Sequence, residues 1–142
     1  PGLAKERAGI VLNDPICTED IYPTTLALAG LSVEPGKPGL DLAPYMRGEA
    51  RELPREGVYL EFVEEHRPNM VFYASAWRGL RTQRHKFTVY NGRPWQLYDL
   101  ADDPYEMTNL IASPAHAAVR ARLHAELRRI ARESGDSFVF EE

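Results

Sequence analysis

Hydrophobic and polar positions alternate with a period of two over much of the second half of the chain. Val58, Leu60 and Phe62 fall on one face of a predicted strand, and a second apolar run, residues 70–77, leads toward Arg81. Two further β-rich runs, residues 85–90 and 93–100, flank Asn91-Gly92. Because both of these turn residues tolerate positive φ, they predict a hairpin closed by a two-residue type I′ turn.

The pattern then changes to a helical period over residues 113–135. Ser113 is a good N-cap, Pro114 suits the first helical position, and Gly135 suits the residue after the end. The apolar stripe consists of Val119, Leu123, Leu127 and Ile130. We therefore predict an α+β fold, in which a four-stranded antiparallel sheet packs against this C-terminal helix.

Residues 10–31 predict a different kind of unit. Residues 10–12 are apolar enough for a buried strand, and residues 21–29 form a helix with Asp20 as N-cap and Gly30 after its end. This helix is too short to persist alone and is apolar on almost every side, so another surface must cover it. We predict that this strand and helix are the last two elements of a larger α/β domain that lies outside the chain.

The predicted domain organisation follows from these patterns. Residues 1–31 form the end of the large domain, residues 32–56 are a linker rich in proline and glycine, and residues 57–142 form the small antiparallel domain. Apolar residues within the linker, among them Leu42 and Tyr45, allow it to dock as a short helical turn.

Composition and charge exclude several classes of function. The chain has 142 residues, 44% of them hydrophobic, and a net charge of −4, from 17 basic and 21 acidic residues. Its basic residues are scattered, so we expect no nucleic-acid partner. No apolar run approaches the roughly 18 residues that span a bilayer, and we expect no membrane span.

Few residues have spacings that suit catalysis or metal binding. The single cysteine, Cys17, is predicted to be a half-buried structural thiol, and His116 and His124 are predicted to be solvated residues too far apart along one helix to share a metal ion. Glu61, Glu64 and Glu65 form a charge cluster at a strand end. The loop that follows contains three residues that could face a ligand, His66, Arg67 and Asn69.

Four segments, in order along residues 20–110, resemble motifs of the sulfatase family within the alkaline phosphatase superfamily. Residues 20–30 resemble its D-x-x-P-T-x-x-x-x-A-G helix, and residues 39–49 its G-x-S-L-x-P-L-L-x-G-E segment, with Asp41 in place of serine. Residues 81–87 resemble R-T-G-x-x-K-Y, with Gln83 in place of glycine. Residues 97–110 resemble L-Y-D-L-x-x-D-P-x-E-x-x-N-L, which precedes the C-terminal helix of the family.

The resemblance implies the C-terminal part of an enzyme that hydrolyses sulfate esters. Family members use a formylglycine, made in a C/S-x-P-S-R motif, and a divalent cation, usually Ca²⁺, held by Asp and Asn side chains. Cys17 is followed by Thr18-Glu19-Asp20 and lacks this motif, so we assign no catalytic residue, metal ligand or cofactor to the chain. The implied partners are an upstream N-terminal sulfatase domain and a sulfate-ester substrate, and the implied location is the periplasm or the cell exterior.

The polar residues that match the last motif have structural interpretations. Asp99 and Asp103 are expected to close turns, Glu106 lies near a turn, and Asn109 is expected to bond loop backbone. The family's small domain borders the active-site cleft, which makes residues 64–69 the expected substrate-facing segment. Two alternatives remain open: the C-terminal part of a related phosphonate monoester hydrolase or phosphodiesterase, and a free-standing interaction module without catalytic activity.

Overall fold

The computed structural model describes residues 9–63 and 76–141. The chain divides into two compact units, Pro1–Val58 and Tyr59–Glu142, which we call the N-terminal unit and the C-terminal unit. The helices are α1 (Ile21–Leu28), α2 (Ala43–Arg47) and α3 (Ala117–Glu133), and the strands are β1 (Gly57–Phe62), β2 (Trp77–Thr82), β3 (His85–Tyr90) and β4 (Arg93–Asp99). The domain boundaries predicted at residues 31 and 56 stay predictions.

Helix α1 ends as its sequence predicts. A short 3₁₀ turn, Thr18–Asp20, leads into it, and Pro23 occupies its third position, where no intrahelical N–H bond is lost. Gly30 has a φ of 74°, and the N–H of Leu31 donates to the carbonyl of Leu26 at 2.9 Å. This bond, with that from Gly30 to Ala27, makes a Schellman motif that satisfies the last carbonyls of the helix.

The strand predicted at residues 10–12 is not formed, so this prediction is wrong. Ile10, Val11 and Leu12 are exposed and have no regular secondary structure. A strand needs a neighbour for its N–H and carbonyl groups, and none of the four described strands pairs with these residues. The apolar side chains of these residues suit burial. The local sequence alone, however, is not sufficient to form a strand.

Residues 38–48 form a second layer against α1 within the N-terminal unit. The predicted short helical turn is present as α2, and Gly48 ends it with a φ of 79°. The carboxylate of Asp41 accepts the N–H of Ala43 at 2.8 Å. Serine and aspartate both make this kind of local bond, which explains why Asp41 serves at a position where the family motif has serine.

The sheet has the predicted four antiparallel strands in the order β1-β2-β3-β4. At the β2–β3 connection, Gln83 does not need the positive φ that a glycine provides, because the side chain of Thr82 closes the turn. The Oγ1 of Thr82 accepts the N–H of His85 at 2.8 Å and lies 3.2 Å from the carbonyl oxygen of His85.

The β3–β4 hairpin confirms the strongest local prediction. Asn91 and Gly92 have φ values of 48° and 78°, as a type I′ turn requires. The register then shifts, because Val89 pairs with Pro94 and Thr88 pairs with Gln96. Trp95 is therefore the extra residue of a β-bulge, and Pro94 lies near the start of an edge strand, where the missing N–H is tolerated.

The core of the C-terminal unit lies between the sheet and α3. Its fully buried side chains are Leu80, Phe87, Val89, Leu97, Leu123 and Leu127, and partly buried residues such as Val119 and Ile130 pack around them. All four stripe residues predicted for α3 thus lie on the side that faces the sheet. Helix α3 follows a 3₁₀ turn, Pro114–His116, and Gly135 ends it with a φ of 73°.

Candidate functional site

The loop that carried the sequence prediction of a ligand-facing site lies outside the described residues. This applies to His66, Arg67 and Asn69, and to Glu64 and Glu65 of the charge cluster. Their role stays a prediction. The structure does describe the two strands that flank these residues in the sequence, β1 and β2.

Aromatic and charged contacts fix the two flanking strand ends. The rings of Phe62 and Trp77 are stacked, with centroids 6.3 Å apart and planes 6° from parallel. Arg78 donates from Nη1 to the carbonyl of Phe62 at 3.0 Å. These contacts hold the end of β1 and the start of β2 together.

A buried ion pair holds Arg78 in place. Its guanidinium donates to both carboxylate oxygens of Asp136, from Nη2 at 3.1 Å and from Nε, and lies over the ring of Phe138. The hydrogen bonds from Arg78 outweigh burial and lower the pKa of Asp136 to about 2. Tyr59 donates its hydroxyl to the same carboxylate, and burial together with that bond raises the Tyr59 pKa. These shifts hold the carboxylate charged and the phenol neutral, so the cluster serves as a support and not as an acid–base pair near neutral pH.

A second buried carboxylate, Asp20, organises the N-terminal unit. It was predicted to cap α1, but its side chain makes no cap bond to that helix. Instead it accepts the backbone N–H groups of Cys17 and Leu40, both at 2.9 Å, and the guanidinium of Arg55. Burial alone would raise the Asp20 pKa, but the bonds from Arg55 and from the two N–H groups outweigh it and lower the pKa to about 2.

Thr24 completes the contact between two of the motif segments. Its hydroxyl accepts the N–H of Leu42 at 2.9 Å and donates to the carbonyl of Leu40 at 3.2 Å. Gly39, which begins the second segment, has a φ of 94°, and a Cβ there would lie 2.2 Å from the carbonyl oxygen of Glu19. Asp20 and Thr24 therefore have a structural role, because they join the two segments through their hydrogen bonds.

The last motif segment also has a structural role, as predicted. The carboxylate of Asp103 accepts the N–H groups of Met107 and Thr108, and that of Asp99 accepts the N–H of Ala101 at 3.2 Å. Glu106 sits at a turn with a φ of 58°. The predicted backbone bonds of Asn109 are present: its Oδ1 accepts the N–H of Leu97 at 3.0 Å and that of Ile111 at 3.1 Å.

Cys17, His116 and His124 were predicted to have no role in catalysis or metal binding, and the structure shows the contacts of each. The Cys17 thiol is half-buried, as predicted, and burial and the neighbouring Asp20 raise its pKa, which disfavours the reactive thiolate. The prediction that His124 is solvated was wrong, because its ring lies between those of Phe87 and Phe140, with centroids 5.8 and 5.9 Å away. His116 contacts Ser113 Oγ through Nδ1 at 2.9 Å.

The described residues do not fit the calcium ion or the formylglycine that the family resemblance implies. In residues 9–63 and 76–141, no group of three or more His, Cys, Asp and Glu side chains is placed to hold a metal ion. Cys17, the one cysteine, is followed by threonine and not by the sequence that formylglycine formation needs. Over the same ranges, no helix has the length and apolar character needed to cross a bilayer.

The fold is that of the C-terminal portion of sulfatases, a four-stranded antiparallel sheet with one helix packed on it. Residues 3–133 match the family described as N-sulphoglucosamine sulphohydrolase, C-terminal, and the chain belongs to this family.

Solved and curated relatives agree with this assignment. A solved 2-O GAG sulfatase superposes on 96% of this chain and 29% of its own, with a TM-score of 0.79 and 30% identity. The Delta 4,5-hexuronate-2-O-sulfatase of Bacteroides thetaiotaomicron is 31% identical over 97% of this chain and 28% of its own length. The phosphonate monoester hydrolase of Agrobacterium radiobacter shares the fold over 80% of this chain and 24% of its own, with a TM-score of 0.62 and 29% identity. The chain spans about a quarter of the length of the curated relatives it matches.

Proposed function

We propose that the chain is the C-terminal domain of an enzyme that hydrolyses sulfate esters, and that it is inactive by itself. The formylglycine and the metal ligands would belong to an upstream domain. The family match and the quarter-length coverage of the relatives support this proposal. In this arrangement the present chain contributes a rigid support for substrate-facing loops.

The observation that carries the proposal is the exposed apolar side of α1. Pro23 and Thr24 face the protein interior, whereas Ile21, Tyr22 and Thr25 are exposed on the helix, with Ile21 at 58%. Other exposed apolar residues of the same unit are Ile10, Val11, Ile16 and Leu31. So much apolar surface on a small unit is typical of an interface. We assign the upstream catalytic domain as the surface that covers it.

Sulfate release by the intact protein tests this proposal. We expect the intact protein to release sulfate from a Δ4,5-hexuronate 2-O-sulfate disaccharide, and the 142-residue chain to release none. Ile21→Asp in the intact protein should lower activity and expose the interface, because it places a charge against apolar surface. The matched control is Met107→Asp, at an 81% exposed residue of the C-terminal unit, which should leave the activity unchanged.

The loop at residues 64–69 is the proposed substrate-facing segment. Replacing His66, Arg67 and Asn69 singly by alanine in the intact protein should raise KM or change the preference among sulfate esters. Arg51→Ala, at an exposed position of the N-terminal unit, is the control. Unchanged kinetics of all three variants with several sulfate esters would contradict this role.

A phosphonate monoester hydrolase is the second candidate, and its structural similarity to this chain is the observation in its favour. The two candidates differ in the ester that the upstream domain would hydrolyse, which is a sulfate ester in the first case and a phosphonate monoester in the second. The same preparation is therefore assayed with p-nitrophenyl sulfate and with p-nitrophenyl phenylphosphonate. A higher kcat/KM for the sulfate ester supports the sulfatase, and a higher value for the phosphonate supports the alternative.

A further inference from the structure

A groove of about 530 Å³ lies beside the last turns of α3, within the C-terminal unit. The helix lines one side of it with Arg128, Arg132 and two alanines. The segment that follows the helix lines the other side with Asp136, Phe138 and Phe140. Pockets that bind small molecules usually have volumes of about 300–1,000 Å³, so this groove is large enough for such a ligand.

The two arginines on the helix side have no acidic partner. Arg128 and Arg132 are exposed and make no hydrogen bond or ion pair within the described part of the chain. The neighbouring Arg129, in contrast, donates to the carboxylates of Glu126 and Glu133, so these two acidic side chains are already paired. Because residues four apart lie on one side of a helix, Arg128 and Arg132 bring two positive charges to the same groove.

The two arginines are also not needed to end the helix. Arginines in a last turn often bond the final carbonyl groups, which lack partners within the helix. Here the carbonyl of Ile130 accepts the N–H of Ser134 at 2.9 Å, and that of Ala131 accepts the N–H of Asp136 at 2.9 Å. The backbone after the helix therefore supplies these bonds, and both guanidinium groups keep their donors for another acceptor.

The opposite side of the groove is an aromatic wall that the interior holds in place. The ring centroids of Phe138 and Phe140 are 5.0 Å apart, with an edge-to-face angle of 74°. The guanidinium of Arg78 lies 4.8 Å from the Phe138 centroid, and the ring of His124 lies 5.9 Å from that of Phe140. Both phenyl rings are half-buried, so the wall has fixed contacts behind it and still borders the groove.

The charge of the groove is positive although a carboxylate lines it. Asp136 accepts hydrogen bonds from Arg78 and Tyr59, and the negative charge of Asp136 is balanced by that of Arg78. The charges of Arg128 and Arg132 therefore remain uncompensated. A positive groove with an apolar wall is complementary to an anion that has an apolar body.

We propose that this groove binds a small aromatic molecule that carries a carboxylate. The guanidinium groups of Arg128 and Arg132 donate paired hydrogen bonds to the carboxylate, whose planar geometry matches theirs. The aromatic body of the ligand packs against Phe138 and Phe140 in the edge-to-face or offset arrangement that aromatic rings prefer. The inference uses residues of the C-terminal unit alone and does not rest on the proposed function.

Titration calorimetry of the intact protein with 2-naphthoate tests the proposal. We expect binding at low salt, and we expect Arg128→Gln and Arg132→Gln each to weaken it by about fivefold or more. Arg132→Lys keeps the charge but loses the planar pair of donors, so its loss should be smaller than that of Arg132→Gln. Circular dichroism checks that each variant, changed at an exposed position, keeps its fold.

Arg129→Gln is the matched control. It removes the same charge from the same helix, but Arg129 is paired with Glu126 and Glu133 and does not line the groove. A general loss of positive charge on α3 would weaken binding in this variant as much as in Arg132→Gln. We expect the affinity of Arg129→Gln for 2-naphthoate to stay within about twofold of the parent.

Two further ligands separate the contributions of the arginines and of the aromatic wall. Acetate has the carboxylate without the rings, and 2-naphthalenemethanol has the rings without the charge. We expect each to bind at least about tenfold more weakly than 2-naphthoate, because each uses only one side of the groove.

Four results would overturn the proposal. They are no binding of 2-naphthoate, an equal loss in Arg132→Gln and Arg129→Gln, binding of acetate as tight as that of 2-naphthoate, and equally tight binding of 2-naphthalenemethanol. All of them are measured as binding and do not require sulfate release. Failure of this proposal therefore leaves the proposed function unaffected, and failure of the proposed function leaves the groove unaffected.

Discussion

The carboxylate of Asp20 accepts a hydrogen bond from Nη1 of Arg55 at 3.0 Å, across 35 residues of sequence. The carboxylate is fully buried and the arginine is mostly buried. Because Asp20 also accepts the N–H of Leu40, one side chain connects the start of α1 to two separate points of the segment that follows it, Leu40 and Arg55. This buried charge pair therefore joins α1 to the segment that follows it, together with the hydrogen bonds of Thr24.

Asp20→Asn is expected to loosen this unit, because it leaves the Arg55 charge without its partner. Breaking a buried pair in this way costs about 3 kcal/mol or more. Amide hydrogen exchange of Leu40, followed by mass spectrometry of the intact protein, should accelerate by about two orders of magnitude. Glu34→Gln is the control, since the Glu34–Lys37 pair is exposed and should contribute almost nothing. Equal exchange in both variants would contradict the assigned role of Asp20.

Asp136 is expected to make the C-terminal unit sensitive to acid. Its pKa falls from the ordinary 3.8 to about 2 on folding, mainly through the hydrogen bonds from Arg78. The unfolded state then binds the proton more readily, so the stabilisation is complete above pH 3.8 and is lost as the pH falls through 2. Urea unfolding of the chain, followed by tryptophan fluorescence, should show this loss. In Asp136→Asn the loss over the same pH range should be smaller.

His124 is expected to act in a different pH range. Its Nε2 is buried and makes no hydrogen bond to any residue that the structure describes. Burial, with a smaller effect of Arg128, lowers the His124 pKa below 6.5. The unfolded state therefore takes up the proton first, and stability should fall as the pH drops below 6.5.

His124→Phe is the variant that tests this expectation, because a phenyl ring fits between Phe87 and Phe140 and has no proton to gain. The decrease in unfolding free energy from pH 8 to pH 5.5 should be smaller in this variant. Some decrease remains in both proteins, since burial also lowers the pKa of His85. An identical pH dependence of variant and parent would show that His124 does not titrate in this way.

Asn109 is expected to stabilise the bulge that presents Trp95. Asn109→Ala removes the acceptor for two backbone N–H groups and the donor to the Trp95 carbonyl, and should cost about 1–3 kcal/mol. Asn109→Asp keeps the acceptor but places a carboxylate oxygen against the Trp95 carbonyl; because this contact is exposed and solvent screens the repulsion, its effect should still be smaller. Urea unfolding of both variants gives the comparison, and a larger loss in Asn109→Asp would contradict the assignment of these bonds.

Local sequence signals predicted the elements that local interactions determine. Asn91-Gly92 sets a turn because both residues accept positive φ, and Gly30 and Gly135 end helices for the same reason. The stripe of α3 predicted its buried side, since a helix of regular period has a defined face. The order of the strands in the sheet could also be predicted, because β2, β3 and β4 are joined by short hairpins and such strands pair in sequence order.

Contacts between residues that are far apart in the sequence could not be predicted from local sequence patterns. Arg78 and Asp136 are 58 residues apart, and no local pattern pairs them. The prediction of a solvated His124 is wrong because this residue lies beside Leu123 and three residues before Leu127, a spacing that places it at the edge of the buried face. The strand predicted at residues 10–12 failed for a related reason, because pairing depends on a partner that the local sequence does not supply.

Reconstitution of activity tests the central proposal most directly. The 142-residue chain and the proposed upstream catalytic domain are produced separately, and sulfate release from a Δ4,5-hexuronate 2-O-sulfate disaccharide is measured for each part and for their mixture. We expect neither part alone to be active and the mixture to release sulfate, with Ile21→Asp in the chain reducing the recovered activity. Sulfate release by the chain alone, or full activity of the upstream part without it, would contradict the account.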